Sequence, residues 1–417
     1  MSSRVSTALR LLCLHYMKGL LNTGLSRSTQ IITYATTTRW FGWGIVDSII
    51  PIFLYSLVNG FAETGLLKAT YTILFFISLP IAGELADYVS LKKLLLIGLG
   101  IYFFIGGSYF IAAATGSILF VILARALNGI SYAIDNTARE TAFLRYESST
   151  GKAFAVFETI TQFWWLVAVA SSLVIVPHVD IQWLFLGIIV TNLVAFVIML
   201  RLPTMAEEHH RKIPSFKKIS KNIVQFSSLR FFFKIDRIPV FGTAVLQGLV
   251  LTLPTSYLAI FSYLSSNDLR EAILIGGIGA LPGIMSMFIG KSSDTSPRRS
   301  FLFGMILLVA SFIVLAFATS FVMQLSVAFL AGVGAQIIYL SSMVLVKKSS
   351  DEKYLGEIDS TLTSVGALSE IIGVVAIGYL IDTINLRVLG LSIAGILGFL
   401  TLFVFLWWKS KFTNTAT

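Results

Sequence analysis

Hydrophobic residues in this chain come in long unbroken runs rather than in alternation. Twelve mostly apolar stretches begin near Trp40, Gly65, Leu94, Ser117, Ala153 and Gln182, and then near Pro239, Glu271, Ser300, Phe321, Ile358 and Arg387. Each has about the 20 residues that a helix needs to cross about 30 Å of hydrocarbon at 1.5 Å per residue. The period-two pattern of a membrane β-barrel does not occur. Six runs end near Leu202 and six start near Ile238. The longest polar stretch lies between them, with Glu207, Glu208, His209, His210, Arg211, Lys212, Lys217, Lys218 and Lys221. The pattern predicts an all-α integral membrane protein of twelve transmembrane helices in two six-helix bundles. Its expected segments are a cytoplasmic or interfacial stretch over 1–38, a first bundle over 39–202, a basic cytoplasmic loop over 203–237, a second bundle over 238–409 and a cytoplasmic tail over 410–417.

Composition narrows the function classes. Of 417 residues 56% are hydrophobic and 12% charged, with a mean hydropathy of +0.85. A soluble domain carries about 25% charged residues, and half of that cannot clothe a globule in water. A cytosolic enzyme, a nucleic-acid-binding domain and a disordered protein are excluded. The net charge of +10 has another origin than nucleic-acid binding. With both termini cytoplasmic, 27 of the 31 lysines and arginines fall on cytoplasmic segments, while Lys68, Arg270 and Arg387 fall on outer loops or their edges and Arg125 inside a span. That asymmetry follows the positive-inside rule and offers cations to anionic lipid headgroups. The expected setting is a plasma (inner) membrane. A single cysteine, Cys13, excludes a disulfide framework and Cys-based metal sites. Ahead of the first run, Val5, Leu9, Leu12, Tyr16, Leu20 and Leu21 stand near helical spacing among Arg10 and Lys18. They read either as an interfacial amphipathic helix or as a loosely ordered tail. His15 and Lys18 interrupt the apolar run, against a cleaved signal peptide.

Two segments resemble each other. The one after the second run reads Gly83-Glu-Leu-Ala-Asp87-Tyr-Val-Ser-Leu-Lys92-Lys93, and the one after the eighth reads Gly290-Lys-Ser-Ser-Asp294-Thr-Ser-Pro-Arg298-Arg299. Both place glycine four residues before aspartate and paired cations shortly after it, at the same point of their six-helix half, which is the mark of a parallel repeat. With these residues, and with Arg125-Ala-Leu-Asn-Gly129 in the fourth run, the chain resembles the major facilitator superfamily. That family's loop motif is Gly-x-Leu-Ala-Asp-(Arg/Lys)-x-Gly-(Arg/Lys)-(Arg/Lys). Tyr88 stands where a cation is usual and Ser90 where glycine is usual. The resemblance spans the whole chain through its six-plus-six plan and implies a transporter fold without a cofactor. It further implies an inner gate at Gly83, Asp87, Lys92, Lys93, Gly290, Asp294, Arg298 and Arg299. Physically, a glycine at a helix end permits close packing or a left-handed cap, and the aspartate can cap a helix or pair with a cation. The alternative for the four cations is plain positive-inside anchoring.

An ionisable side chain in hydrocarbon is costly, so each one inside a span is a functional candidate. Asp47 in the first run and Arg125 in the fourth both fall in the middle of the bilayer, and in the resembled fold both would face a central cavity. They could form a proton-coupling switch or a static salt bridge. Glu370, flanked by small residues in the eleventh run, could titrate or hydrogen-bond a neighbouring helix. Asp135, Arg139 and Glu158, near the inner ends of the fourth and fifth runs, are expected to join the Asp87 cluster. Spans seven and ten, counterparts of one and four, offer Gln247, Thr252, Tyr257, Gln336 and Tyr339 as neutral cavity candidates. Trp164 and Trp165 read as packing or interface residues.

Other chemistries are missing. There is no phosphate-binding Gly-x-x-x-x-Gly-Lys-Ser/Thr, no His-Glu-x-x-His and no Gly-x-Ser-x-Gly, so ATP-driven, metallohydrolase and serine-hydrolase readings fall away. No metal site is expected. The chain reads as a non-enzymatic, monomeric secondary transporter that moves a small molecule by alternating access, with protons as the coupling partner. The fifth run, 154–176, lacks the glycines and prolines of drug/proton antiporters, leaving efflux antiport and uptake symport both open. A non-transporting scaffold or receptor on the same fold is the alternative from another class.

Overall fold

The computed structural model describes residues 25–147, 150–203, 238–348 and 355–414. The amphipathic stretch ahead of residue 25 and the bulk of the central basic loop lie outside them. In chain order the helices are α1 (Arg27–Val46), α2 (Ile50–Val58), α3 (Phe61–Tyr88), α4 (Leu91–Thr115), α5 (Ile118–Tyr146), α6 (Thr150–Ile175), α7 (Ile181–Leu200), α8 (Ile238–Val250), α9 (Leu258–Ser266), α10 (Leu269–Ile284), α11 (Ser286–Thr295), α12 (Pro297–Ala316), α13 (Phe321–Lys348), α14 (Leu355–Thr383) and α15 (Leu386–Asn414). Among the described residues ten helical stretches, α8 and α9 counting as one, are long and apolar enough to cross a membrane, and the bent pair α1–α2 makes eleven. The α10–α11 pair, interrupted at Met285, stands where the sequence places its eighth span. Phe104, Leu119, Val190 and Phe399 are exposed on the outer faces. Such a belt is stable only against lipid, because in hydrocarbon a helix satisfies its own backbone and needs no polar coat.

Two of the breaks have a proline behind them. Pro51 has no N–H to donate to the Asp47 carbonyl four residues back, so the ladder opens there and α1 meets α2 at a 45° bend. Pro254 does the same to Val250, and the chain passes through a π-helical turn, Leu253–Tyr257, between α8 and α9. The leading helix of each half is thus broken. Each also ends on an asparagine in the left-handed conformation, Asn59 and Asn267, the residue after glycine that best tolerates it. The helix that follows carries an acidic residue in its first turn, Glu63 or Glu271, favourable at the positive helix end.

The first span begins earlier than the hydrophobic pattern predicts. The run starts near Trp40, but α1 starts at Arg27, where the Ser26 hydroxyl caps the Thr29 N–H at 3.2 Å. Arg39, assigned by sequence to the cytoplasmic segment, is therefore far inside α1 and fully buried. A hydropathy window reads it as a boundary because it cannot see the carboxylate that meets it.

The halves meet closely where α2 turns into α3. Gly60 opens α3 with no side chain to cap it, and Asp382 of α14 supplies the cap from the other half. Its Oδ1 accepts from the Phe61 N–H at 3.3 Å and its Oδ2 from the Ala62 N–H at 2.9 Å. The Phe61 ring stacks on Phe261 with centroids 4.9 Å apart and meets Tyr257 edge-on. Helices α3 and α14 approach at Gly65 and Gly378. A Cβ at Gly65 would lie 2.6 Å from the Val374 carbonyl oxygen, and one at Gly378 would lie 2.5 Å from that of Phe61. A carboxylate on a helix N-terminus contributes about 0.3–1 kcal/mol, so Asp382→Asn should raise the population open at this end about two- to fivefold. Maleimide labelling of a Thr64→Cys reporter, placed in a Cys13→Ser background, would read it: Thr64 is buried just behind Phe61 and should label faster.

Candidate functional site

Between the halves lies a cavity of about 620 Å³, walled by both. Asp47 sits at the proline break and points into it, exposed to the cavity. Arg125 of α5 is buried against it. Its Nη2 donates to the Lys68 carbonyl at 3.1 Å, and the guanidinium stands 5.0 Å over the Tyr71 ring. Lys68, half-buried on α3, donates from Nζ to the Ser256 hydroxyl of the π-helical turn, bridging the halves. Glu370 of α14 completes a quartet of two cations and two carboxylates. Asp47 lies within electrostatic reach of Arg125 and Lys68, and Lys68 of Glu370, yet none of the four makes a contact ion pair with another. Trp40, Trp43 and Trp165 give the cavity aromatic walls.

Glycine at 129 makes the Arg125 wall possible. A Cβ there would overlap the Tyr71 carbonyl oxygen and stand 2.8 Å from the Phe75 nitrogen. The Arg125-x-x-x-Gly129 spacing therefore brings α5 onto α3 one turn beyond the arginine and seats its guanidinium over Tyr71.

Next to this site is a buried ionic cluster. Asp135 Oδ2 accepts from Arg39 and from Arg139, each at 2.8 Å, and all three side chains are buried. The cationic faces are covered by rings: Arg39 stands 4.7 Å over Tyr102 and Arg139 4.9 Å over Phe157. Two guanidiniums on one carboxylate leave a charge of +1. Tyr102 and Trp40, which cover the cluster, also line the cavity.

A second chamber of about 380 Å³ adjoins the first, sharing Leu251, Thr255 and Glu370. The sequence candidates divide between the two. Asp47, Arg125, Glu370, Tyr257 and Gln336 line the first, and Gln247, Thr252 and Tyr339 the second. Tyr257 spends its hydroxyl on the Val374 carbonyl, and Gln336 donates to Ser286 at 2.8 Å, so both also tie helices together.

Three sequence assignments change. Lys68, placed by sequence at an outer loop edge, is in the cavity, because α3 starts at Phe61 and carries it two turns in. Trp165 faces the cavity, edge-on to Trp40 at 6.3 Å, while Trp164 packs on Phe41. Glu158 is exposed and makes no ion pair with the Asp135 cluster, which Arg39 joins beside Arg139.

Among the described residues the expected inner-gate positions fall at several helix ends. Gly83 and Gly290 are inside helices, and a Cβ at either meets nothing within 4 Å, so neither a left-handed cap nor a tight crossing requires them. The Asp87 side chain lies outside the described residues. Ser90, in place of the family's glycine, caps α4 through the Lys93 N–H at 3.4 Å. Lys92 donates to the Leu200 carbonyl at the end of α7 at 2.9 Å, a cation on a negative helix end. Arg298 stands 5.8 Å over Trp408, and Asp294 and Arg299 are exposed.

A family model described as "Major Facilitator Superfamily" matches residues 32–290 and 271–416. The chain belongs to the major facilitator superfamily. Among solved structures with the same fold, the nucleoside transporter NupG superposes with a TM-score of 0.72 at 14% identity, covering 92% of this chain and 100% of that one. The human organic anion transporter MFSD10 (TETRAN) superposes with a TM-score of 0.64 at 14% identity, covering 91% and 99%. A search of curated protein sequences finds no significant match. Membership makes this chain a multi-pass membrane transporter rather than an enzyme, and identities this low carry the fold alone.

In this superfamily member the Asp135 cluster is buried and held at contact distance, so disturbing it is costly. Removing one member of a buried ion pair costs about 3–5 kcal/mol, because the partner is left charged in a low dielectric. Asp135→Ala strands two guanidiniums and should lower the thermal unfolding midpoint in detergent well below that of Glu158→Ala, whose carboxylate is exposed.

Proposed function

We propose that this chain is a proton-coupled secondary transporter that moves a small molecule by alternating access, with Asp47 as the proton carrier. The observation that carries the reading is the place of Asp47: at a proline-broken turn of the first span, open to the cavity between the halves and facing Arg125 and Lys68 without contact to either. Broken helices beside a midplane site are a recurrent device of secondary transporters. A carboxylate held apart from its cations can accept a proton without dismantling a buried pair, which a closed salt bridge would resist.

The opposing halves supply the two states. Asp382 on the Phe61 and Ala62 N–H groups and the Tyr257 hydroxyl donating to the Phe61 carbonyl at 3.4 Å join them at the α2–α3 end, and the Lys68–Ser256 bond joins them across the cavity. Opening that end requires these bonds to break together, and a change in charge at the quartet acts directly on the Lys68 bridge. The distribution of lysine and arginine supports an assignment of the sealed end to the outside and both termini to the cytoplasm of a plasma membrane. The chain works as a monomer in this reading, since each half presents its charges to the other and needs no second copy. A scaffold or receptor role would need none of the charged quartet at the cavity, which favours transport.

In proteoliposomes, a pH gradient should drive accumulation by the wild type and not by Asp47→Asn. The variant should retain exchange of labelled for unlabelled substrate without a gradient. Proton-driven accumulation that persists in Asp47→Asn would remove Asp47 from the coupling role.

A further inference from the structure

We infer that the cavity recognises an aromatic carboxylate, with the anionic group at Arg125 and Lys68 and the ring among Trp40, Trp43 and Tyr71. This rests on the reading of the cavity as the transport site and names the chemistry it takes.

Charge alone does not choose the sign of the substrate, since the quartet is neutral. Hydrogen bonding chooses it. Trp43 Nε1, Arg125 Nε and Gln247 Nε2, on residues that line the two adjoining chambers, are buried without a hydrogen-bond partner. All three are donors; no buried orphan acceptor is found among the described lining residues, and the Tyr109 hydroxyl, buried without a partner behind Trp43 and Arg125, can meet one donor and not all three. A buried donor left unpaired costs about 1–3 kcal/mol, so the demand of this wall is for an acceptor. The two carboxylates make no such demand: Asp47 is exposed to the cavity and Glu370 partly so.

Arg125 is also held ready. The Lys68 carbonyl engages its Nη2 and Tyr71 covers one face, which fixes the guanidinium plane while leaving other N–H groups unspent. A fixed guanidinium presents the fork that a planar carboxylate fits with two parallel bonds. Lys68 is engaged by a neutral hydroxyl, not by a carboxylate, and its charge remains available. The neighbouring Arg39–Asp135–Arg139 cluster adds an excess of +1 behind Tyr102 and Trp40. The volume of about 620 Å³ suits a one- or two-ring solute, within the range of about 300–1,000 Å³ for small-molecule sites.

Equilibrium dialysis of the purified full chain in detergent, with radiolabelled 2-naphthoate, 2-naphthol and 2-naphthylmethylammonium, tests this. The three share a ring system and differ in the charge of one group. Saturable one-site binding of 2-naphthoate, about tenfold tighter than that of either analogue, is expected, the scale of one charge-assisted hydrogen bond. Arg125→Gln should weaken it about tenfold, and Arg125→Lys should recover part, keeping the charge without the fork. The wild-type ranking stands even if a variant does not fold. Equal or tighter binding of the ammonium or the alcohol, absence of saturable 2-naphthoate binding, or an unchanged affinity in folded Arg125→Gln would each overturn the assignment. Dialysis needs neither gradient nor turnover. A chain that binds 2-naphthoate and transports nothing refutes transport alone, and one that transports only the ammonium refutes the anion alone.

Discussion

A charge in hydrocarbon has to be answered by another charge, a hydrogen bond or an aromatic face, and this fold is arranged around that requirement. Desolvating an ion costs several kcal/mol, more than any single apolar contact returns. The first half alone buries or half-buries Arg39, Arg125, Arg139, Lys68 and Asp135 around its cavity, with Asp47 projecting into it. Asp135 answers two of the cations at contact distance, and Tyr102, Trp40 and Phe157 cover them. Arg125 is answered by a carbonyl and a ring. The two arrangements differ in consequence. The closed cluster has its charges matched at contact distance behind the cavity wall, while the open quartet holds its charges apart.

The same economy appears in the backbone. Helices pass through lipid because each satisfies its own N–H and C=O groups, so an interruption is tolerated only beside protein or a cavity. The breaks at Pro51 and Pro254 both adjoin the central cavity. A third exposed backbone feature, the uncapped start of α3 at Gly60, is answered from the other half by Asp382. Since the cap belongs to one bundle and the helix to the other, separation of the halves at that end uncaps the helix. The seal is thereby coupled to helix-end chemistry, with Phe61 and Tyr257 closing the space around it.

Much of the architecture could be read along the chain, because lipid imposes a length and a polarity that leave a one-dimensional trace. The runs, the six-plus-six division and the Gly-Asp-cation repeat needed no partner to be visible. Asp47, Arg125 and Glu370 stood out for the same reason, as ionisable residues in apolar runs, and the structure brings them to one cavity. What failed did so at run edges and across helices. Lys68 and Arg39 lie near the ends of their apolar runs, where hydropathy reads a cation as an anchor. Only the partners, Ser256 for one and Asp135 for the other, show that they are inside. Trp165 and Trp164 are neighbours with the same composition around them, and helix rotation alone sends one to the cavity and the other to Phe41.

The sequence by itself determined that this is an all-helical membrane protein in two repeated halves with a few ionisable groups in its spans, since hydrocarbon thickness and desolvation act locally on each segment. It also carried the two prolines that break the leading helices, because a missing N–H is a property of one residue. Tertiary structure alone decided which charges meet at contact and which stay apart, that Asp382 caps a helix of the opposite half, and that three side-chain donors of the described cavity-lining residues are buried without a partner. Those are distances between segments far apart in the chain, fixed by how helices rotate and cross, and no local pattern of residues encodes them.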